Sequence, residues 1–217
     1  MTIEHKSVLI MTAVEAERDV VLRGLGDKDN IDVSLAGVGP VASAANTAKA
    51  LAVKEYGLVI STGIGGGFPT KAEVGSLVVA DQIVSADLGV ETLEGFLSLD
   101  ELKFGTTKVQ SDPEMVKQTA EALRAAGLMV SVGPIITVST ATGTAESSEE
   151  RGRRVPGAVA EGMEGYGVAL AAELFGVPAL EIRAISNEVG PRDRKAWKMK
   201  EAFAALENAY RVLEGLL

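Results

Sequence analysis

Short apolar segments alternate with amphipathic stretches along almost the whole chain, and this alternation is what most constrains the fold. The apolar segments are rich in β-branched residues and bounded by glycine or proline, which predicts strands at residues 7–12, 31–36, 58–61, 76–84, 132–139, 158–161 and 179–186. The amphipathic stretches predict helices at residues 15–25, 41–56, 113–126, 164–175 and 193–217. Strands that alternate with helices form a largely parallel sheet covered on both faces. We therefore expect an α/β fold, built as a single domain over residues 1–217.

One stretch, residues 85–105, lacks this alternation, and we expect it to be a long irregular loop. Long loops in compact domains usually cover a site or contact a partner. Phe96 and Phe104 lie in this stretch and are scarce aromatic residues in a chain with 4% aromatic content. They are candidates for covering an aromatic part of a ligand, either in the same chain or across a subunit interface. Simple packing under the loop is the alternative.

The composition argues against several classes of protein. No cysteine is present, which excludes a disulfide framework, a cysteine-ligated metal site and a cysteine nucleophile. The net charge of −9 argues against nucleic acid or an anionic membrane as partner, since both attract basic surfaces. His5 is the single histidine, which argues against a catalytic triad or a histidine-rich metal cluster. No apolar stretch is long enough for a signal sequence or a membrane helix, so we expect a cytoplasmic protein.

Two glycine-rich segments follow predicted strands. GVGPVA at residues 37–42 matches a dinucleotide-binding fingerprint, but the acidic residue that holds a ribose after the next strand is missing, and a tight turn explains the glycines as well. TGIGGGF at residues 62–68 is expected to be a loop whose backbone N–H groups approach an anion, a ribose or a water. A crowded turn is the alternative, and no Lys-Ser/Thr follows that would make a P-loop.

Acidic residues stand at the starts of two predicted helices. Glu15 and Glu17 follow the first strand, and Glu161 and Glu164 surround the start of helix 164–175. Carboxylates in a first helical turn ordinarily offset the helix dipole, so each pair taken alone favours a structural role.

The strand at residues 179–186 carries charge where burial is expected. Glu181 and Arg183 alternate with apolar residues there, and a buried charged pair is costly unless it is well partnered. A functional site and a structural ion pair are equally good interpretations. Asn187, at the end of this strand, either caps the following turn or contacts a ligand.

Four motifs, taken in chain order, resemble the purine nucleoside phosphorylase and nucleosidase superfamily. They are the A-x-x-x-E pattern that ends at Glu17, the glycine segment TGIGGG, Met163-Glu164-Gly165, and RAISN at residues 183–187. The resemblance implies a three-layer α/β/α fold with a central mixed, partly barrel-like sheet. It also implies a small-molecule nucleoside substrate, no cofactor or metal, and a homo-oligomer (dimer or higher) whose neighbouring chain often closes the pocket. The reaction of the superfamily cleaves a purine–ribose N-glycosidic bond with water or with phosphate.

Residues 78–92 and 185–197 further resemble the branch of this superfamily that hydrolyses futalosine. This resemblance implies release of hypoxanthine, in menaquinone biosynthesis. The alternatives on the same fold are a methylthioadenosine/S-adenosylhomocysteine-type nucleosidase and an inosine phosphorylase. A purine-nucleoside-sensing binding protein without turnover is the alternative outside enzymes.

The resemblance also implies roles for residues on one side of the substrate. Glu17 would activate the attacking water, with Glu15 only a first-turn carboxylate. Glu164 would accept hydrogen bonds from the ribose hydroxyls, and Met163 would pack under the sugar. Arg183 would position the water or hold the charge of Glu17.

The glycine segment would line the water side of the site. By resemblance, Gly63, Ile64 and Gly65 would contribute backbone N–H groups there. Many adenosine-type nucleosidases carry Ser where Ile64 stands, so a hydroxyl contact is missing or replaced. Phosphorylases of the superfamily bind phosphate with several arginines in addition to the glycine segment. Arg18 and Arg23 are the arginines nearby in this sequence, and they are better explained as solvated residues of one helix face. We expect water rather than phosphate as the nucleophile.

The purine base would lie against Thr142, Gly143 and Thr144, below Asn187. A 6-oxopurine presents two acceptors, N7 and O6, and an asparagine amide supplies two hydrogens. An ionised aspartate, by contrast, could only accept. We therefore predict a hypoxanthine-type base rather than adenine. The alternative is that Asn187 caps the turn before Gly190.

Futalosine, the substrate that the resemblance implies, carries a carboxylate on an aromatic ring. The sequence does not decide which residues would bind this carboxylate. Arg192 and Arg194 are candidates by charge and position, and a solvated basic turn is the alternative. Trp197 is expected to anchor the packing of the last helix.

Overall fold

The computed structural model describes residues 7–26 and 28–217, so His5 lies outside the described residues. The strands are β1 (Val8–Thr12), β2 (Ile31–Leu35), β3 (Leu58–Gly67), β4 (Leu77–Ser85), β5 (Gly89–Thr92), β6 (Gly95–Ser98), β7 (Lys108–Gln110), β8 (Val130–Thr137), β9 (Ala160–Gly162) and β10 (Ala179–Glu188). The helices are α1 (Glu15–Leu25), α2 (Pro40–Leu51), α3 (Leu99–Leu102), α4 (Pro113–Ala125), α5 (Ala145–Arg154), α6 (Gly165–Leu174) and α7 (Met199–Leu213). A 3₁₀ turn, Arg194–Ala196, precedes α7.

Five strands of the main sheet close into a ring. β3 pairs with β10, β10 with β4, β4 with β8, β8 with β9, and β9 again with β3. The β3–β10, β4–β8 and β8–β9 pairs are parallel and the other two are antiparallel. β1 and β2 extend the sheet outward from β3, and β7 pairs with β4. The mixed, partly barrel-like sheet expected from the resemblance is confirmed.

Alternate residues of the strands face two helical layers. In β1, Val8 and Ile10 pack in the core that contains residues of α1, α4 and α7. Leu9 and Met11 point to the other face and pack in the core that contains residues of α2 and α6. Because both faces of the strand are covered, β1 is buried along its whole length. The three-layer arrangement is confirmed, and no helix of the described residues is long and apolar enough to cross a membrane.

The second helix is shorter than its sequence pattern predicts. The expected helix 41–56 ends at Leu51, five residues early. Lys54 Nζ and Tyr56 Oη both donate hydrogen bonds to Asp32 Oδ2 of β2, at 2.6 Å each. These contacts hold the segment against the edge strand in a non-helical path.

The last helix also begins later than predicted, at Met199 rather than at 193. The Asp193 side chain accepts a hydrogen bond from the backbone N–H of Lys195, which starts the short 3₁₀ turn. Trp197 then adopts an extended backbone conformation before α7. Trp197 is half-buried and also lines a cavity, and its expected role as a packing anchor of the helix stays a prediction.

Residues 85–105 are not the irregular loop that was expected. They contain the end of β4, the hairpin of β5 and β6, and α3, whose N-terminus is capped by the Ser98 side chain. The guanidinium of Arg154 lies over the ring of Phe96, 4.0 Å from the ring centroid. Phe104 is 80% exposed. Strand pairing across the turn at 92–95 and the Ser98 cap supply order that apolar periodicity does not reveal.

The sequence pattern does not predict helix α5, because Ala145 is its only apolar side chain and an apolar periodicity cannot form, although one face of the helix is half-buried. Its signals are at its ends: Thr144 caps the N-terminus, and Arg151, Arg153 and Arg154 occupy the last turn.

The second glycine segment is the carboxyl half of β3 and not a loop. A Cβ at Gly65 would lie 2.7 Å from the Glu161 carbonyl oxygen, and one at Gly67 would lie 2.4 Å from the Ala72 carbonyl oxygen. Such contacts are too short for any side chain. The glycines therefore allow neighbouring backbone to pack closely as the ring of strands closes.

Candidate functional site

A cavity of about 250 Å³ lies where the start of α1, the carboxyl half of β3, the β9–α6 junction and the end of β10 meet. Its wall includes seven of the residues expected from the sequence: Glu17, Ile64, Gly65, Thr142, Met163, Glu164 and Asn187. Two larger surface clefts, of about 430 and 540 Å³, contain none of these seven. The convergence of buried carboxylates, rather than size, distinguishes this cavity.

Glu17 is fixed on the floor of the cavity by backbone donors. Its Oε2 accepts hydrogen bonds from the N–H groups of Ala13 (2.9 Å) and Val14 (3.3 Å), and its Oε1 accepts one from Ile64 (2.9 Å). Gly63 lies directly beneath, where a Cβ would be 2.4 Å from Oε1. Burial raises the pKa of Glu17, although the positive charge of Arg183 and the N–H of Ile64 oppose the shift. The result is an oriented carboxylate that is more basic than an exposed one.

Glu164 stands at the N-terminus of α6 and faces the same cavity. Its Oε1 accepts a hydrogen bond from the N–H of Gly39 at 3.2 Å. Its Oε2 accepts bonds from the Met163 N–H at 3.3 Å and from Arg183 Nη1 at 3.1 Å. The GVGPVA turn thus contributes a donor to a carboxylate, which agrees with its interpretation as a tight turn.

Arg183 lies behind the cavity wall, 1% exposed, and connects the elements around it. Besides Glu164, it donates hydrogen bonds to Glu181 Oε1 (2.8 Å), Ser61 Oγ (3.2 Å) and the Ile64 carbonyl oxygen (3.3 Å). These bonds orient the guanidinium toward Glu164 and Glu181, and it acts on Glu17 through space. Arg183 does not line the cavity, and its expected role of positioning the water stays a prediction.

Glu181 is fully buried and is the structural partner of Arg183. A Cβ at position 165 would lie 2.0 Å from its Oε2, so Gly165 is the residue that leaves room for this carboxylate. Burial raises the pKa of Glu181 to about 6, against the attraction of Arg183. Glu181 therefore holds Arg183 in place from behind, and neither residue lines the cavity.

Asn187 lines the cavity at the end of β10 and also bonds to its neighbours. Its Oδ1 accepts a hydrogen bond from Ser186 Oγ at 2.8 Å, and its Nδ2 donates to the Glu188 carbonyl oxygen at 2.9 Å. One amide hydrogen remains for a ligand rather than the two assumed from the sequence.

The loop expected to contact the base contributes Thr142 alone. The backbone N–H of Thr142 donates to Glu161 Oε1 at 2.8 Å, and its hydroxyl donates to the other oxygen of that carboxylate. The Gly143 carbonyl accepts a hydrogen bond from the N–H of Arg192, and the Thr144 hydroxyl caps α5. Gly143 and Thr144 do not line the cavity.

Several wall residues were not expected from the sequence. They include Val14, Val38, Ala141, Val189 and Trp197. Glu161, which the sequence singled out as an acidic residue near a helix start, lines the cavity as well. No motif singled out the valines and the alanine, because an apolar residue carries no chemical signal of its own. Arg192 also lines the cavity, whereas Arg194 does not. Arg18 and Arg23 pair with Asp19 and Glu207 at the surface of α1.

The polar groups of the site can be examined for their ability to bind a metal ion. Within residues 7–26 and 28–217, no group of three or more acidic or histidine side chains is placed to hold a metal ion. The donors around Glu17 and Glu164 come from this chain's own backbone and from Arg183.

Comparison with known proteins places the chain in a family. Residues 11–217 match the model of the Phosphorylase superfamily. A futalosine hydrolase of Streptomyces coelicolor is 47% identical, covering 97% of this chain and 96% of the relative. One of Acidothermus cellulolyticus is 46% identical, covering 94% and 89%. The chain belongs to the futalosine hydrolase family of the Phosphorylase superfamily.

A solved structure agrees with this assignment at the level of the fold. The 5′-methylthioadenosine/S-adenosylhomocysteine nucleosidase of Neisseria meningitidis, in complex with methylthio-immucillin-A, superposes with a TM-score of 0.82. It is 22% identical, and the match covers 97% of this chain and 98% of that one. At this identity the likeness concerns the fold alone.

The raised pKa of Glu181 predicts a pH dependence of stability. A carboxyl pKa raised from 4.5 to about 6 means that the folded protein holds this proton more tightly than the unfolded chain. The free energy of unfolding of the wild type should fall by about 2 kcal/mol, relative to Glu181→Gln, as the pH rises through this interval. Urea unfolding of both proteins at several pH values measures the difference. If the free energy of unfolding of the wild type instead rises with pH relative to that of Glu181→Gln, attraction by Arg183 outweighs burial.

Proposed function

We propose that this protein hydrolyses the N-glycosidic bond of futalosine and releases hypoxanthine. The observation that carries the proposal is the pair of buried carboxylates, Glu17 and Glu164, that face one cavity in a member of this family. The choice of substrate rests on the names of the relatives from Streptomyces coelicolor and Acidothermus cellulolyticus.

The reaction exchanges one bond at the anomeric carbon for another. The C1′–N9 bond breaks as the base takes up a proton, and a C1′–O bond forms with water, which gives up a proton. The sugar passes through an oxocarbenium-like state, so negative charge held nearby lowers the barrier. Glu17 and Glu164 provide such charge without reorganisation, because backbone N–H groups already fix both side chains.

Glu17 is the residue proposed to take the proton of the attacking water. A general base works best when its pKa lies near the working pH, and burial raises the pKa of Glu17 in that direction. Its hydrogen bonds to Ala13, Val14 and Ile64 hold the carboxylate in one orientation.

Glu164 is proposed to accept hydrogen bonds from the ribose 2′- and 3′-hydroxyls, with Met163 beneath the sugar. Glu164 already accepts three hydrogen bonds, and a carboxylate has about four acceptor positions, so one position is open to a ribose hydroxyl. The second hydroxyl would replace the longest of the three bonds, the one from the Met163 N–H at 3.3 Å. Arg183 orients this carboxylate and offsets part of the charge that three neighbouring glutamates bring together.

Water is the proposed nucleophile, and the surroundings of the glycine segment support it. Gly63 and Gly65 lie in strand pairing with β10, and the N–H of Ile64 is bound to Glu17, so an open cradle of N–H groups is not formed there. Arg18 and Arg23 face acidic partners at the surface rather than the cavity.

Asn187 and Thr142 are proposed to contact the purine. Both line the cavity, and one amide hydrogen of Asn187 is available for an acceptor of a 6-oxopurine. The hydrogen bond from Asn187 Nδ2 to the Glu188 carbonyl oxygen fixes the orientation of the amide, so the second hydrogen of Nδ2 has a fixed direction as well.

The wider setting belongs to the same proposal. A hypoxanthine-releasing reaction on futalosine would serve menaquinone biosynthesis, in the cytoplasm. The homo-oligomer expected from the sequence is part of it too, since a neighbouring chain could close the mouth of the cavity.

Product analysis tests the proposal. The chain is incubated with futalosine, inosine and methylthioadenosine, each with and without phosphate, and the bases and sugars are quantified. We expect hypoxanthine from futalosine without phosphate, and free sugar as the second product. Preferred release of adenine would indicate a methylthioadenosine-type nucleosidase, and a sugar 1-phosphate would indicate a phosphorylase. Purine-nucleoside binding without base release over hours would indicate a binding protein.

Loss of the general base provides the matched test of mechanism. Glu17→Gln should lower kcat on futalosine by about 10²–10⁴-fold, because the amide cannot accept the proton of water. Glu15→Gln is the control, since this residue is exposed in the same helical turn and should retain activity. In the wild type, activity should fall as the pH drops through the pKa of Glu17, which burial raises above the usual glutamate range. Equal activity of both variants would remove Glu17 from the mechanism.

Asn187→Asp tests how the base is selected. An ionised carboxylate would oppose the Glu188 carbonyl oxygen and a purine O6, placing acceptor against acceptor. We expect kcat/KM on futalosine to fall on the order of 10–100-fold, with relatively higher activity on aminofutalosine. If rate and base preference both stay at wild-type values, Asn187 only stabilises the turn before Gly190.

A further inference from the structure

The mouth of the cavity differs in chemistry from its floor. Glu17, Glu161 and Glu164 make the floor acidic, and all three are buried. At the mouth, Val14 is 42% exposed and Val38 is 57% exposed. A ligand that extends from floor to mouth therefore passes from a polar, acidic environment to an apolar rim.

Arg192 and Trp197 complete this rim. The guanidinium of Arg192 lies 5.2 Å from the centroid of the Trp197 ring, within the range of a cation–π contact. Both side chains line the cavity, and Trp197 is half-buried. The backbone N–H of Arg192 donates to the Gly143 carbonyl, which ties this segment to the loop that carries Thr142.

The charge of the guanidinium is available for a ligand. No carboxylate of the described residues lies within ion-pair distance of Arg192. The nearby Asp193 side chain instead accepts the backbone N–H of Lys195. The segment is locally basic in a chain of net charge −9, where most of the surface repels an anion.

We propose that Arg192 and Trp197 form a subsite for an aromatic carboxylate, with Arg192 binding the carboxylate and Trp197 contacting the ring. This inference rests on the proposed function, because futalosine carries a benzoate group on the sugar side opposite to the base. The cavity, at about 250 Å³, is slightly smaller than the ~300–1,000 Å³ that ligand sites span, so a substituent on the sugar would reach its mouth. Arg192 and Trp197 line the same cavity as Glu164 and Asn187. A substrate with its ribose at Glu164 and its base at Asn187 would therefore present its benzoate to them.

Arg194 was an equal candidate on sequence grounds and provides the comparison. It is exposed in the 3₁₀ turn and does not line the cavity. Arg192 and Arg194 are two positions apart and carry the same charge, so a general electrostatic effect on an anionic substrate would involve both. A direct bond to the carboxylate would involve Arg192 alone.

The test compares futalosine with its methyl ester, which keeps the base, the sugar and the aromatic ring but lacks the negative charge. Arg192→Gln should raise KM for futalosine on the order of 10–100-fold, the range of a charge-assisted hydrogen bond. KM for the ester should change by less than about 2-fold, since only the charged group is addressed. Arg194→Gln is the matched control and should leave both values near those of the wild type.

Trp197→Leu separates the contact with the ring from the contact with the charge. It should raise KM for both compounds, because both retain the aromatic ring. Equal effects of Arg192→Gln on acid and ester, or equal effects of Arg192→Gln and Arg194→Gln, would overturn the subsite. Those results leave the proposed function intact as long as the wild type releases hypoxanthine from futalosine. If the wild type releases none, the proposed function fails and the subsite fails with it.

Discussion

The buried guanidinium of Arg183 is the interaction on which the rest of the site depends. A charge removed from water is costly unless it is paired and fully hydrogen-bonded, and Arg183 meets this condition with Glu181, Glu164 and Ser61. Its partners come from β3, β10 and the start of α6, so the same contact fixes the geometry of the cavity. Removal of either carboxylate partner would change the charge balance around Glu17 as well.

Close packing of carboxylates against glycine is the second constraint. Gly63 leaves room for the carboxylate of Glu17, and Gly165 leaves room for that of Glu181. At both positions a Cβ would collide with an oxygen that cannot move away, because backbone N–H groups hold Glu17 and Arg183 holds Glu181. These glycines therefore serve side-chain chemistry, whereas Gly67 allows two backbone segments to pack together.

The arrangement also divides binding from catalysis. Acidic groups with fixed orientation lie deep in the cavity, where low dielectric strengthens their effect on a developing positive charge. The apolar and cationic groups lie at the exposed mouth, where the proposed subsite would distinguish substrates by a substituent far from the reacting bond. Binding energy gained at a remote group can hold the sugar in position for attack. In the proposed mechanism, selection of the substrate and activation of water use separate side chains.

The order of strands and helices, the α/β class and the helix Glu15–Leu25 follow from local signals: apolar periodicity, turn residues and first-turn carboxylates. Glu17 and Glu164 could be named only through the resemblance of four motifs to the superfamily, since each carboxylate taken alone favoured a structural role at a helix start. Helix α5 has a single apolar side chain, Ala145, so its sequence lacked the periodic signal. Only the tertiary structure decided that the glycine segment is a strand, and that Arg192 rather than Arg194 reaches the cavity. These outcomes depend on contacts between residues distant in the chain, which local patterns do not encode.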